Sequence, residues 1–111
     1  MYASVRKYTV EADRVDELMH RVDEKFVGRL EQMPGFVAYQ AIDAGEDRVR
    51  EGIVFSVTIC SDREAADRSA EMAAEFVGAE LGDIKIERLE AATGGVSVNR
   101  AVSEVLEAAH A

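Results

Sequence analysis

The chain contains no tryptophan, one cysteine, one proline and two histidines. Each shortage closes off a class of function. Cys60 alone cannot form an intramolecular disulfide, so nothing in cysteine usage calls for an oxidising compartment, and a reducing cytoplasm is the expected location. His20 and His110 lie far apart and, with one cysteine, lack the close ligand spacing of a metal site, so no metal is expected. No run approaches the roughly 20 apolar residues needed to span a bilayer, and Arg6 and Lys7 near the start have no apolar segment behind them. Neither a signal peptide nor a membrane span is expected. Gly94-Gly95 is too short for a phosphate loop, and with no nucleotide or flavin motif elsewhere no cofactor is expected. Basic residues are also scarce. Lys and Arg number 13 against 22 Asp and Glu, a formal net charge of −9. That field repels phosphate backbones and anionic lipid, which disfavours nucleic acid and membrane surfaces as partners.

What is present is enough for one small domain of 111 residues. Tyr2 to Val10 is short and rich in Tyr, Val and Thr, which favours a strand. After Asp13, a good N-cap, Val15, Leu18, Met19, Val22, Phe26, Leu30 and Met33 recur at steps of three and four, predicting an amphipathic helix about 20 residues long. Pro34-Gly35 ends it. Phe36 to Asp43 reads as a second strand, Ala44 to Arg48 as a hairpin loop, and Gly52 to Cys60 as a third strand. Ser61 with Glu64 forms a capping box for a second helix through Leu81, with an inward stripe of Ala66, Ala70, Ala73, Val77 and Leu81. Gly82-Asp83 ends that helix. Ile84 to Glu90 makes a fourth strand, Gly94-Gly95 a turn, and Val96 to Val98 a short fifth strand. Val102, Val105, Leu106 and Ala109 suggest a weak amphipathic helix after Asn99.

The order β-α-β-β-α-β is the split βαβ, ferredoxin-like arrangement, an α+β fold with two helices on one face of a four-stranded antiparallel sheet. Residues 1–98 form the domain and 99–111 a helical tail. Strand three carries Ile53, Phe55, Val57 and Ile59 on one face and Val54, Ser56, Thr58 and Cys60 on the other, with no charge on either. Helices cover only one face. The other needs a partner, and a second copy of the same sheet is the simplest supplier, giving a homodimer through the sheet face.

The run Met33-Pro34-Gly35-Phe36-Val37-Ala38-Tyr39 closing the first helix, and Ser61-Asp62-Arg63-Glu64-Ala65 leading from strand three into the second, resemble the antibiotic biosynthesis monooxygenase superfamily. The likeness covers about residues 2 to 98. It implies a dimeric α+β barrel with a ligand site between sheet and helices, but no single reaction, since similar folds serve oxygenases, isomerases, haem degraders and proteins without known activity. The haem-degrading branch builds its site from an asparagine on strand one, a tryptophan ending strand three and a histidine on helix two. The corresponding places here hold Arg6 and Cys60, and helix two has no histidine. The quinol-oxidising branch often carries tryptophan before helix two and histidine after its first turn, where this chain has Cys60 and Ser69.

His20 falls on the flank of the first helix, away from the sheet, as a solvated residue. Arg6 either sits at an edge paired with a carboxylate, or holds a carboxylate, phenolate or enolate oxyanion. Tyr8 shares its face. Tyr39 is either plain core or a pocket wall donating a hydrogen bond. Cys60 and Ser69 lack a base and read as small residues that enlarge a cavity. Glu17 with Arg21 and Glu64 with Arg68 read as solvated i,i+4 pairs. The resemblance implies a cofactor-independent monooxygenase acting on a small aromatic or polyketide-like substrate. The competing class is a non-catalytic dimeric small-molecule-binding or interaction protein, and a lactone isomerase of the same fold is a third.

Overall fold

A computed structural model gives the structure, and it describes residues 1–101. The helix suggested from Val102 onward, and His110, lie outside the described residues. Four strands, β1 (Tyr2–Glu11), β2 (Phe36–Glu46), β3 (Glu51–Cys60) and β4 (Ile86–Gly95), form one antiparallel sheet in the order β2-β3-β1-β4. The first helix follows β1, and the second (Arg63–Glu80) follows β3. Both pack on one face, as the ferredoxin-like order requires.

Alternation along β1 and β3 decides which side chains meet the helices. Ser4, Arg6, Tyr8 and Val10 are buried inward from β1, and Val54, Ser56, Thr58 and Cys60 from β3. The antiparallel register sets Arg6 opposite Ser56 and Ser4 opposite Thr58. The central core gathers Tyr8, Val10 and Val54 from the sheet against Leu18, Phe26, Leu30 and Phe76 from the helices. Phe26 meets Phe76 with ring centroids 5.2 Å apart. The outer face differs: Ile53, Phe55, Val57 and Ile59 are half-buried, while their neighbours Val5 and Ile42 are 38% and 43% exposed.

The first helix buries the expected stripe but is not one regular helix. A 3₁₀ turn at Ala12–Arg14 leads into α-helical Val15–Arg21, then a π-helical turn at Val22–Phe26, then α-helical Val27–Glu31. Asp13 lies inside the opening turn and caps nothing. His20 is exposed on the flank, its Nε2 3.2 Å from Glu24. Two glycines fix how closely the chain approaches itself. Gly35, at φ +87°, turns the chain so tightly against the second helix that a Cβ would lie 2.9 Å from Ala65 Cβ. A Cβ on Gly52 would lie 2.7 Å from Val15 Cγ2.

Several boundaries differ from the sequence reading. Asp62, not Ser61, caps the second helix, accepting a hydrogen bond from Ala65 N at 2.8 Å; a carboxylate supplies both the acceptor and a charge suited to the helix dipole. The buried stripe is Ala65, Ala66, Ser69, Ala73 and Phe76, because the large Phe76 ring, not Val77, sets the helix phase. Ile84 is buried in the turn before β4, and Gly94-Gly95 end that strand by pairing with Ala3 and Tyr2 instead of turning. No fifth strand forms at Val96 to Val98; Val96 N only donates to Met1 O at 2.9 Å. No helix among the described residues is long and apolar enough to cross a membrane.

An ionic clasp ties the first helix to the turn that follows the second. Arg21 donates to both carboxylate oxygens of Asp83, at 2.6 and 2.8 Å, and to Glu17 at 2.9 Å, while Arg14 reaches Asp83 at 2.9 Å. Hydrogen bonds from Arg21 and then Arg14 hold the Asp83 carboxyl well below the ordinary carboxylate range. A folded-state value below the unfolded one contributes stability above the unfolded pKa of about 3.9, lost as pH falls through the folded value. Asp83→Asn is therefore expected to melt about 2 °C below the parent at neutral pH and low salt, with the gap closing in acid and in 1 M salt. Thermal scans across pH measure it, and a gap that widened in acid would contradict the clasp.

Candidate functional site

β1 lies between β3 and β4, so Arg6 cannot be an edge residue, and the reading that pairs it with a carboxylate fails. Its side chain is fully buried. Nη1 donates to Ser4 Oγ at 2.7 Å, and Nη2 donates to Ser56 Oγ at 2.8 Å and Thr58 Oγ1 at 3.1 Å. Nε has no hydrogen-bond partner among the described residues. A guanidinium is a fixed positive charge with a planar fork of donors matched to carboxylates and other oxyanions. Three hydroxyls satisfy some donors but supply no opposing charge, so the arrangement retains strong attraction for an anion.

Tyr39 joins this cradle from β2. Its hydroxyl is 2.8 Å from Ser56 Oγ, and its ring meets Phe26 edge-to-face, centroids 5.5 Å apart and planes at 74°. Burial pushes the phenol pKa up, opposed by the Ser56 hydrogen bond and the Arg6 charge. Tyr39 thus stays a neutral hydroxyl at ordinary pH, fit to donate and not to act as a base.

Ser56 and Tyr39 form one end of a cavity of about 30 Å³, whose wall is otherwise mostly apolar: Tyr8, Leu18, Phe26, Phe76 and Ile86 among others. That is room for one or two waters. No carboxylate, imidazole or amine lines it. Met19, Val22, Tyr39 and Ala41 are shared with a groove of about 410 Å³ between the first helix and β2, bordered by Asp23 and Asp43. The groove leads inward past the π turn, which carries Val22 at one end and Phe26 at the other. Extra π turns inside α-helices recur at functional sites.

Of the residues singled out from sequence, Tyr8 and Tyr39 line the cavity, and Arg6 touches its wall through Ser56. Cys60 packs in a separate buried cluster with Met33, Ala65 and Ala66. Burial and the nearby Asp62 charge push its thiol pKa up, which leaves it unreactive. Ser69 is buried and spends its hydroxyl on Ala66 O at 2.6 Å. Neither lines the cavity.

No family model and no curated protein matches the chain. Solved structures do. A dimeric ferredoxin-like protein from an uncultured marine organism superposes with a TM-score of 0.68 at 12% identity, over 92% of this chain and 100% of the other. The haem degrader MhuD from Mycobacterium tuberculosis, solved with two haems bound in its active site, gives 0.67 at 19% identity, over 91% and 100%. SnoaB from Streptomyces nogalater, a cofactor-independent oxygenase, gives 0.56 at 14%, over 88% and 94%. The chain shares the ferredoxin-like fold of these structures.

The hydroxyl cradle is not foreseen in the sequence reading. Its signal was present: alternation alone puts Ser4 with Arg6 and Ser56 with Thr58 on their strands' inward faces, but only the cross-strand register brings them together. The cavity's aromatic floor, Phe26 with Phe76, needed the phase of the second helix.

A buried charge without a counter-charge is a poor stabiliser, so most of what an apolar replacement loses is the hydrogen bonding of the hydroxyls around it. Arg6→Met, which leaves the buried Ser4 and Thr58 hydroxyls without their donor, is expected to lower unfolding free energy by about 1–3 kcal/mol. Phe76→Ala, which empties the core at a 2% exposed ring, should cost about 3–5 kcal/mol. Denaturant melts compare them; equal losses would make Arg6 a structural residue.

Proposed function

We propose that the chain forms a homodimer through the outer face of its sheet and binds a small hydroxylated aromatic or polyketide-like molecule in the groove beside Tyr39, its hydroxyl directed toward Ser56 and Arg6, oxygenating it without a cofactor. The observation that carries this reading is the buried Arg6 guanidinium, which has no carboxylate partner among the described residues and adjoins an aromatic-walled cavity. SnoaB is a cofactor-independent oxygenase on the same fold, which supports the reaction class. The dimeric marine protein and the apolar outer face around Phe55 and Val57 support the assembly.

In this chemistry the substrate supplies the electrons. A phenol or enol loses its proton, and the conjugate carbon of the oxyanion adds to O₂, forming a C–O bond. Protonation and cleavage of the O–O bond, with loss of the hydrogen on that carbon, release water and leave a carbonyl. Arg6 stabilises the oxyanion in a water-poor site, and Tyr39 orients it by donating a hydrogen bond. No cavity side chain is a base, so the proton passes to water and Arg6 acts by making the ionised substrate more stable. Tyr8 belongs to the wall. Cys60 at the end of β3 and Ser69 in the second turn of the second helix keep that end of the layer small.

The lack of a base in the cavity equally favours a second reading, a non-catalytic dimeric protein that only binds the molecule or serves as an interaction module. Oxygen uptake with an anthrone or naphthol probe separates the two. Uptake with water release, reduced at least about tenfold in Arg6→Met by loss of one charge-assisted contact, is the expected result. Saturable binding without uptake selects the second reading.

The assembly has its own test. Light scattering at micromolar concentration is expected to give twice the 12.2 kDa chain mass. Phe55→Glu, which sets a carboxylate in the apolar layer, should dissociate it, at a loss of several kcal/mol of association energy. A monomeric parent would remove the dimer.

A further inference from the structure

The groove and the cavity behind it suit different occupants. The groove, at about 410 Å³, has room for a ring, whereas the cavity, at about 30 Å³, has room for roughly two heavy atoms. No charged side chain lines the cavity, and its only hydroxyls are those of Tyr8, Tyr39 and Ser56. Ser56 Oγ already accepts from Arg6 Nη2 at 2.8 Å and shares a hydrogen bond of 2.8 Å with the Tyr39 hydroxyl, so these two groups largely satisfy one another. A buried water needs about two to four polar partners, while a cavity walled by apolar groups stays dry and takes up apolar guests. Leu18, Val54, Ala73 and Phe76 offer such a guest dispersion contacts alone.

Position adds to size and polarity. Met19, Val22, Tyr39 and Ala41 belong to both walls, so a small molecule in the cavity adjoins a larger one in the groove. The Arg6 charge stands one hydrogen bond behind the cavity wall at Ser56, where its field crosses little water.

Resting on the reading of the groove as a hydroxyaryl site, we infer that the inner cavity is the dioxygen site, a dry pocket that holds O₂ beside the ring bound in the groove. The carbon conjugate to the oxyanion gives its electron pair to the nearer oxygen atom. A C–O bond forms as O₂ is reduced to the peroxide level, and the negative charge passes to the outer oxygen atom, within the field of Arg6. Leu18, Val54 and Ala73 shape the pocket for a diatomic guest and move no proton.

Xenon, an inert apolar guest little larger than O₂, is the probe. In the full chain, the methyl resonances of Leu18, Val54 and Ala73 are expected to shift saturably with xenon pressure, while those of Ala65 and Ala66, in the separate cluster with Met33, stay in place. Ala73→Val, which adds two methyl groups to the wall, should abolish those shifts and raise the KM for O₂ about fivefold or more in naphthol oxygenation, with the KM for the naphthol unchanged. Val54→Ile fills the same space from the sheet and is expected to do the same, which keeps the test open should Ala73→Val fail to fold. Cavity methyls indifferent to xenon would mean that water fills the space, and would overturn the pocket. Oxygenation whose KM for O₂ ignores both variants would overturn it too, while leaving the oxygenase reading standing. Xenon shifts in a protein that consumes no oxygen with any anthrone or naphthol would overturn that reading and, with it, the cavity's role as a dioxygen site.

Discussion

The guanidinium of Arg6 governs the architecture of the inner layer. A permanent charge on a central strand must be solvated by the protein, and here three hydroxyls from two strands do so. That requirement explains why polar residues stand where a sheet of this kind would otherwise place Val or Ile. Ser4, Ser56 and Thr58 are buried with Arg6, and each finds its hydrogen bond in it. Tyr39 is drawn into the same network through Ser56, which in turn positions its ring against Phe26. A single residue thus organises the polar cradle, the aromatic wall and the boundary between them.

The two faces of the sheet divide the work. Inward, polar and aromatic groups meet beneath two helices, the first held to the turn after the second by the Arg21–Asp83 clasp. Outward, β3 presents branched and aromatic side chains, and Lys7 rests its ammonium 5.8 Å from the Phe55 ring centroid. An apolar layer next to isolated charges is suited to a protein surface that completes the burial.

Fold and site were legible to different depths. Hydrophobic spacing in the first helix, alternation in β3 and the Pro34-Gly35 break are local signals, and they were enough for the element order and for the face each strand presents. Helix phase was less secure where small residues dominate: Ala66, Ala70 and Ala73 leave the stripe ambiguous until Phe76 is placed. At Asp62 two adjacent residues could both cap, and only backbone geometry decides. Arg6 and Tyr39 were picked out by type, but whether Arg6 met a carboxylate depended on strand order and register, which are long-range properties that no neighbouring residue encodes.

The π turn at Val22–Phe26 amounts to one residue more than an α-helix needs over that span. A shortened chain lacking an exposed residue such as Glu24 could close the same helix in regular form, with Leu18 before it and Leu30 after it still facing the sheet. Phe26 would then leave from a different angle and the wall beside Tyr39 would change shape. Length variation by a single codon at this place would therefore remodel the binding chamber while sparing the scaffold, a route to new ligands that substitution in a packed core seldom offers.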